Sequence, residues 1–238
     1  MDSFIHQDVR FVLMEMLEEP RYYFSILEAI ATGNVTMGNI TNYTGLERSL
    51  VGKYLNVLID LNLIKRDIPV TASPKTKKGI YSFQDNIFSF WFGFIYPYED
   101  LINLGREKDV LAKIDRDFNA YVGKSFEGIA KEFMWDSSYH RIGKWWDRGE
   151  EIDVVALNDV SKEIAFLECK WRDIKTKDAL KVIANLERKA KLVKWHNDKR
   201  RESYGIIAKR IRNKEELKEM GYLAFDLHDF EGVPEYNQ

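Results

Sequence analysis

Glu151-Ile152-Asp153-Val154-Val155-Ala156-Leu157, followed by Glu163-Ile164-Ala165-Phe166-Leu167-Glu168-Cys169-Lys170-Trp171, is the stretch on which the fold turns. Both runs are apolar and rich in β-branched residues. Asn158, Asp159 and Ser161 between them are turn formers, so the pattern predicts strand, turn, strand. Asp153, Glu168 and Lys170 interrupt the apolar runs. A charge inside a buried strand is costly unless it is paired or binds a metal. Side chains alternate along a strand, so Glu168 and Lys170 share a face. Hairpin pairing then lays Asp153 beside them. Two carboxylates and one ammonium converge on one spot. Hard oxygen donors of this kind suit Mg²⁺ or Mn²⁺. A neighbouring lysine can orient a water or offset charge developing on a phosphate.

Asp153 followed by Glu168-Cys169-Lys170 resembles the core of the PD-(D/E)XK nucleases, in which an acidic residue precedes an E-x-K on the neighbouring strand. Ile152 stands where the proline of the name is expected. The resemblance implies Mg²⁺- or Mn²⁺-dependent hydrolysis of phosphodiesters. It assigns the metal to Asp153, Glu168 and the main-chain carbonyl of Cys169, and the positioning of the attacking water to Lys170. It also implies a glutamate from a preceding helix, with Glu127 first and Glu132 as the alternative. A surface glutamate is the plain reading of either.

Length and composition bound the rest. The 238 residues are enough for one large domain or two small ones. Hydrophobic residues at 45% and charged residues at 31% indicate a globular, soluble protein. The net charge of −2 excludes a uniformly basic nucleic-acid binder, so any such contact must come from local patches. With Cys169 as the one cysteine, no intrachain disulfide forms, and a reducing cytoplasm is expected. The start, Met1 to Asp8, reads as no secretion signal. The apolar run from Ile87 to Tyr98 is too short to span a membrane and contains Pro97. No G-x-x-x-x-G-K-[ST] loop occurs, so this chain alone is not a P-loop ATPase.

From the N-terminus, Phe4, Ile5, Val9, Val12, Leu13, Met16 and Leu17 recur at helical spacing over residues 4 to 18, and Pro20 closes the helix. Helices are predicted over Arg21 to Thr32, over Met37 to Tyr43 with Thr36 as cap, and over Glu47 to Leu61. Strands are predicted over Ile64 to Val70 and Gly79 to Phe83, joined by a basic loop, Ser73 to Lys78. This order makes a winged helix-turn-helix. In DNA-binding versions the third helix enters the major groove and the wing touches backbone. Arg48, Ser49 and Lys53 would face the groove, and Lys75, Lys77 and Lys78 the phosphates. A protein-protein module with a solvated lysine loop fits the same pattern.

Asp85 to Asn103 carries seven aromatic residues between Phe88 and Tyr98. A stripe this dense reads as packing rather than a base-stacking platform, and it is expected to join the winged helix to the next domain. Helices are predicted over Val110 to Ile114 and Asp117 to Trp135, with Glu127 on the second. Ser138 to Trp146 is the first strand of the next sheet, with Trp145 and Trp146 read as packing. After Lys170 a basic helix is predicted from Lys177 to Arg200, its stripe of Leu180, Ile183, Ala184, Leu192 and Val193 facing the sheet. Residues 175–201 carry an excess of seven positive charges, Lys177 and Lys181 among them, which suits a phosphate backbone or simply water. Strands Tyr204 to Lys209 and Tyr222 to Leu227 flank a short helix, Lys214 to Met220. An antiparallel meander followed by a parallel crossover results. Cys169 is expected in the core, not as a nucleophile.

The whole order, together with Gly143-Lys144-Trp145-Trp146, Glu151-Ile152-Asp153 and Glu168-Cys169-Lys170-Trp171, resembles the C-terminal half of the archaeal ATPase family. Members of that family carry an AAA-type ATPase domain, a winged helix and a restriction-endonuclease-like domain. The resemblance implies an α+β or α/β chain in three parts: a helical winged-helix domain at 1–84, an aromatic connector at 85–115 and a nuclease-like domain with a mixed sheet at 116–238. It further implies a DNA endonuclease, DNA and a partner or fused ATPase as partners, no membrane, and compatibility with a homodimer. Two other readings compete: a non-catalytic module that keeps the fold and binds DNA or an ATPase, and a winged-helix transcriptional regulator.

Overall fold

The structure is a computed structural model that describes residues 4–17 and 19–230. Two compact units form, Met1–Asp67 with Thr76–Phe118, and Ile68–Lys75 with Asn119–Gln238.

The first unit opens with α1 (Phe4–Met16) and α2 (Pro20–Ala31). Glu18 and the side chains of Phe4 and Ile5 lie outside the described residues. Val9, Leu13 and Leu17 are buried as expected, whereas Val12 and Met16 are exposed. Pro20 starts α2, where its missing N–H has no partner to lose. The Thr36 hydroxyl accepts from the Asn39 N–H at 3.2 Å and caps α3 (Met37–Thr44). Gly45, at φ 66°, ends α3 in the left-handed region. α4 (Arg48–Asp60) buries Val51, Tyr54, Leu55 and Leu58. β1 (Ile64–Asp67) and β2 (Ile80–Phe83) pair antiparallel, Ile64 opposite Phe83. β1 stops three residues before the predicted Val70. Pro69 has no donor for a ladder, and the Val70 N–H donates to the Lys144 carbonyl at 3.0 Å, inside the second unit.

The aromatic segment comprises α5 (Asn86–Phe90), a π turn (Trp91–Ile95), a 3₁₀ turn (Tyr96–Tyr98) and α6 (Glu99–Asn103). Trp91 and Phe92 are fully buried, edge-on to Phe24 of α2 at 6.1 and 5.6 Å. These rings therefore lie in the first unit's own core. α7 (Glu107–Phe133) is one helix where two were predicted, because no glycine or proline interrupts residues 114–117. The division between the units falls within it.

In the second unit β3 (Arg141–Asp147), β4 (Glu150–Asn158) and β5 (Glu163–Lys175) form an antiparallel meander. α8 (Thr176–Ala190) leads to β6 (Arg201–Arg212), parallel to β5. α9 (Lys214–Glu219) leads to β7 (Leu223–Asp226), parallel to β6. The sheet order is β3-β4-β5-β6-β7. One face packs Phe126 and Ala130 of α7. The other packs Ala179, Ile183, Leu186 and Ala190 of α8.

α8 ends ten residues before the predicted Arg200. The Arg200 guanidinium donates to the carbonyls of Ala190 (3.1 Å), Val193 (2.7 Å) and Trp195 (3.1 Å), capping the helix where its acceptors run out. Leu192 is thereby left off the helix and 47% exposed, and Ala184 is also exposed, against the predicted stripe. β5 and β6 each outrun their predicted ends. Among the described residues, no helix is long and apolar enough to cross a membrane.

Candidate active site

Ile152, Val155 and Leu157 of β4 face the α8 layer, while Val154 and Ala156 face the α7 layer. Two-residue alternation therefore fails between Ile152 and Val155. The ladder to β3 gives the reason. Gly143 pairs with Val155 and Trp145 with Ile152, so the single residue Lys144 stands opposite both Asp153 and Val154. This is a β-bulge, which re-aims a side chain and bends its strand. On the other side the β4–β5 ladder ends at Val154 opposite Leu167. The Cys169 N–H then donates to Asp153 Oδ2 at 2.9 Å. A carboxylate has taken the place of a main-chain acceptor where the two strands part.

Two groups of ion pairs lie around this point. Glu168 Oε1 lies 3.2 Å from Lys170 Nζ, and Lys189 Nζ of α8 reaches the two Glu168 oxygens at 3.4 and 3.5 Å. Lys144 Nζ bridges Glu127 of α7 at 3.2 Å and Glu151 at 3.1 Å. Asp153 is 5% exposed. Burial, then the nearby Glu168 and Glu127, lift its pKa from an ordinary 3.8 to about 6, against the pull of the Cys169 N–H and Lys170. Burial works to strip the proton from Lys144, but Glu127, Glu151 and Asp153 outweigh it and hold the ammonium above the usual lysine range. Burial pushes the Cys169 thiol well above its usual range. Its side chain sits in the apolar α7 layer, so it is no nucleophile.

Asp153, Glu168, Lys170 and Glu127 are thus brought into one cluster. Glu132 is exposed and takes no part. Trp145 is core. Sequence reasoning gave Lys144 and Glu151 no site role, although both stand in the motifs quoted above, and it missed Lys189. Lys189 was counted with the basic face of its helix, yet it is 8% exposed. Its spacing carried a signal: Lys189 follows Leu186 by three residues and precedes Ala190, at the edge of the buried stripe. Arg48, Ser49 and Lys53 are exposed on α4; Lys75, Lys77 and Lys78 are exposed in the loop between β1 and β2; Lys177 and Lys181 are exposed on α8. An open groove at the start of α8 is lined by Lys175, Lys177 and Arg212, and none of the cluster's residues shares its wall.

The donor set decides which metal the cluster suits. Among the described residues, no three His, Cys, Asp or Glu side chains are grouped closely enough to hold an ion by themselves. The donors at the parting strands are Asp153, Glu168 and main-chain carbonyls, all hard oxygens. Mg²⁺ commonly takes one or two carboxylates and keeps several waters, so this sparse oxygen set fits it. Four carboxylates against three ammonium groups also leave the cluster one net negative charge.

The profile of the DUF234 family, archaeal and bacterial proteins of unknown function, matches residues 91–182. The chain is 42% identical over 237 residues to an uncharacterized protein of Methanocaldococcus jannaschii, MJECL04; the match covers 96% of this chain and 52% of that protein. The chain therefore spans about half the length of that curated relative. No solved structure matches it.

Proposed function

We propose that this chain is a metal-dependent DNA nuclease of the restriction-endonuclease-like kind, acting in the cytoplasm. The observation that supports this best is Asp153 on its bulge, held by the Cys169 N–H where β4 and β5 part, with Glu168 and Lys170 near enough to act on its charge. Asp153, Glu168 and the Cys169 carbonyl would hold Mg²⁺ or Mn²⁺. When bound, such an ion supplies Lewis-acid stabilisation of the phosphate and lowers the pKa of a bound water. Cys169 fixes the direction of Asp153. Lys170 orients the attacking water and offsets negative charge as the phosphorus–oxygen bond breaks. Lys144 holds the Glu127 carboxylate toward the cluster.

The winged helix is the natural DNA-binding module, with Arg48, Ser49 and Lys53 on the helix and Lys77 and Lys78 on the wing. The likeness to the archaeal ATPase family adds an ATPase, fused or separate, as partner. Cutting both strands of a duplex would suit a homodimer.

One observation favours a second reading. Glu168 is already paired to two lysines, and Glu127 to a third. A self-neutralised network of this kind serves equally in a non-catalytic module that binds DNA or an ATPase. Incubating linear, nicked and branched DNAs with the protein and Mg²⁺ or Mn²⁺ separates the two, since only the nuclease yields products.

A further inference from the structure

Lys144 and Lys189 are the cluster's two ammonium groups with no direct part in the chemistry proposed above. Lys189 is buried and Lys144 half-buried, and an ammonium is withdrawn from water at a cost unless its partners offset it. Each has its partners in the cluster. Lys144 comes from β3 and engages Glu127 and Glu151. Lys189 comes from α8 and engages both oxygens of Glu168. The two approach from different elements and share no carboxylate.

We propose that Lys144, by occupying Glu127 and Glu151, acts as a built-in cation that limits the cluster to a single divalent ion. Lys189 is a positioning residue that holds Glu168 ready for that ion. This rests on the metal-dependent reading above. The charge count supports it. The cluster stands at one net negative charge; one divalent ion brings it to one positive, and a second would bring it to three positive in a half-buried site. Like charges gathered in one half-buried site repel one another. The carboxylates a second ion would need, Glu127 and Glu151, are already bridged by Lys144. Lys189 also divides the work on Glu168. With one lysine from the helix already on that carboxylate, Lys170 is released to face a substrate phosphate when the ion arrives.

The test counts ions, with no substrate present. The full chain is titrated with Mn²⁺ by calorimetry, and free Mn²⁺ is followed by electron paramagnetic resonance. One Mn²⁺ per chain is expected. Lys144→Met should admit a second ion on Glu127 and Glu151, and the charge-preserving Lys144→Arg should stay at one. Lys189→Met should keep one ion and bind it at least about ten-fold tighter, because a neighbouring positive charge is gone. Its cleavage should slow by a similar factor, a split that a purely structural lysine would not give. Two ions on the unaltered chain would overturn the inference and leave the nuclease reading standing. No bound ion would remove the metal-dependent reading and this inference with it. The count on the unaltered chain decides even if a variant fails to fold.

Discussion

The main-chain N–H of Cys169 points at Oδ2 of Asp153 from 2.9 Å, and it does so because the β4–β5 ladder has already ended, at Val154 opposite Leu167. The carboxylate closes a donor that the sheet would otherwise leave open, while it faces Glu168 and Glu127. It is satisfied on one side and repelled on the other.

The first consequence concerns pH. The Asp153 carboxyl titrates near 6 in the folded chain and near 3.8 when unfolded. Between those values the native state binds more protons than the unfolded state, so this group's contribution to stability falls as pH rises. The difference corresponds to roughly 3 kcal/mol, complete by about pH 7. An asparagine in its place would keep an acceptor for the Cys169 N–H and lose the charge. In chelator, Asp153→Asn should therefore be more stable than the unaltered chain at pH 8, by on the order of 1–3 kcal/mol, and the gap should close toward pH 4. Urea melts across that range measure it. A gap that does not depend on pH would mean that the Asp153 carboxylate is not strained.

The basic loop between β1 and β2 makes a separate prediction under the proposed DNA-binding role. Each lysine that neutralises a phosphate contributes about 0.9 to the slope of log affinity against log salt. Replacing Lys75, Lys77 and Lys78 together by alanine should lower that slope by roughly 2–3 for duplex DNA. Fluorescence anisotropy at several salt concentrations gives the number. An unchanged slope would assign these exposed lysines to water.

The early end of α8 is a third point of attack. Arg200 donates to three carbonyls, so Arg200→Ala strands the acceptors at the helix terminus. A loss of about 2–4 kcal/mol is expected from removing charge-assisted bonds. Mn²⁺ affinity should be unchanged, since Arg200 touches none of the cluster. A fall in Mn²⁺ affinity would show that the turn after α8 positions Lys189 and Glu168.

Much of this architecture could be read in the chain. The apolar runs around Asp153 and Glu168 marked the central hairpin, and the segment from Thr36 to Gly45 announced a short helix by its cap and its stop. The convergence of Asp153, Glu168, Lys170 and Glu127 was also legible. What escaped was whatever depends on contacts distant in sequence. Arg200 ends α8 from ten residues downstream, by contacts with carbonyls that no local pattern encodes. The bulge opposite Lys144 shifts a register, and no local preference encodes it, although the failed alternation between Ile152 and Val155 hints at it. Lys189 was hidden by its own type: a lysine in a basic helix reads as solvated until the fold puts a carboxylate beside it.

The most direct test of the central claim is cleavage of linear, nicked and branched DNAs in Mg²⁺ or Mn²⁺ by the unaltered chain and by Lys170→Ala. The account predicts cutting that requires the metal and falls by at least about a hundred-fold in the variant, as expected for a group that meets charge in the transition state, while DNA affinity is kept. Equal DNA binding by both proteins with no cutting by either would contradict it, and would leave the cluster as a buried ion network in a binding module.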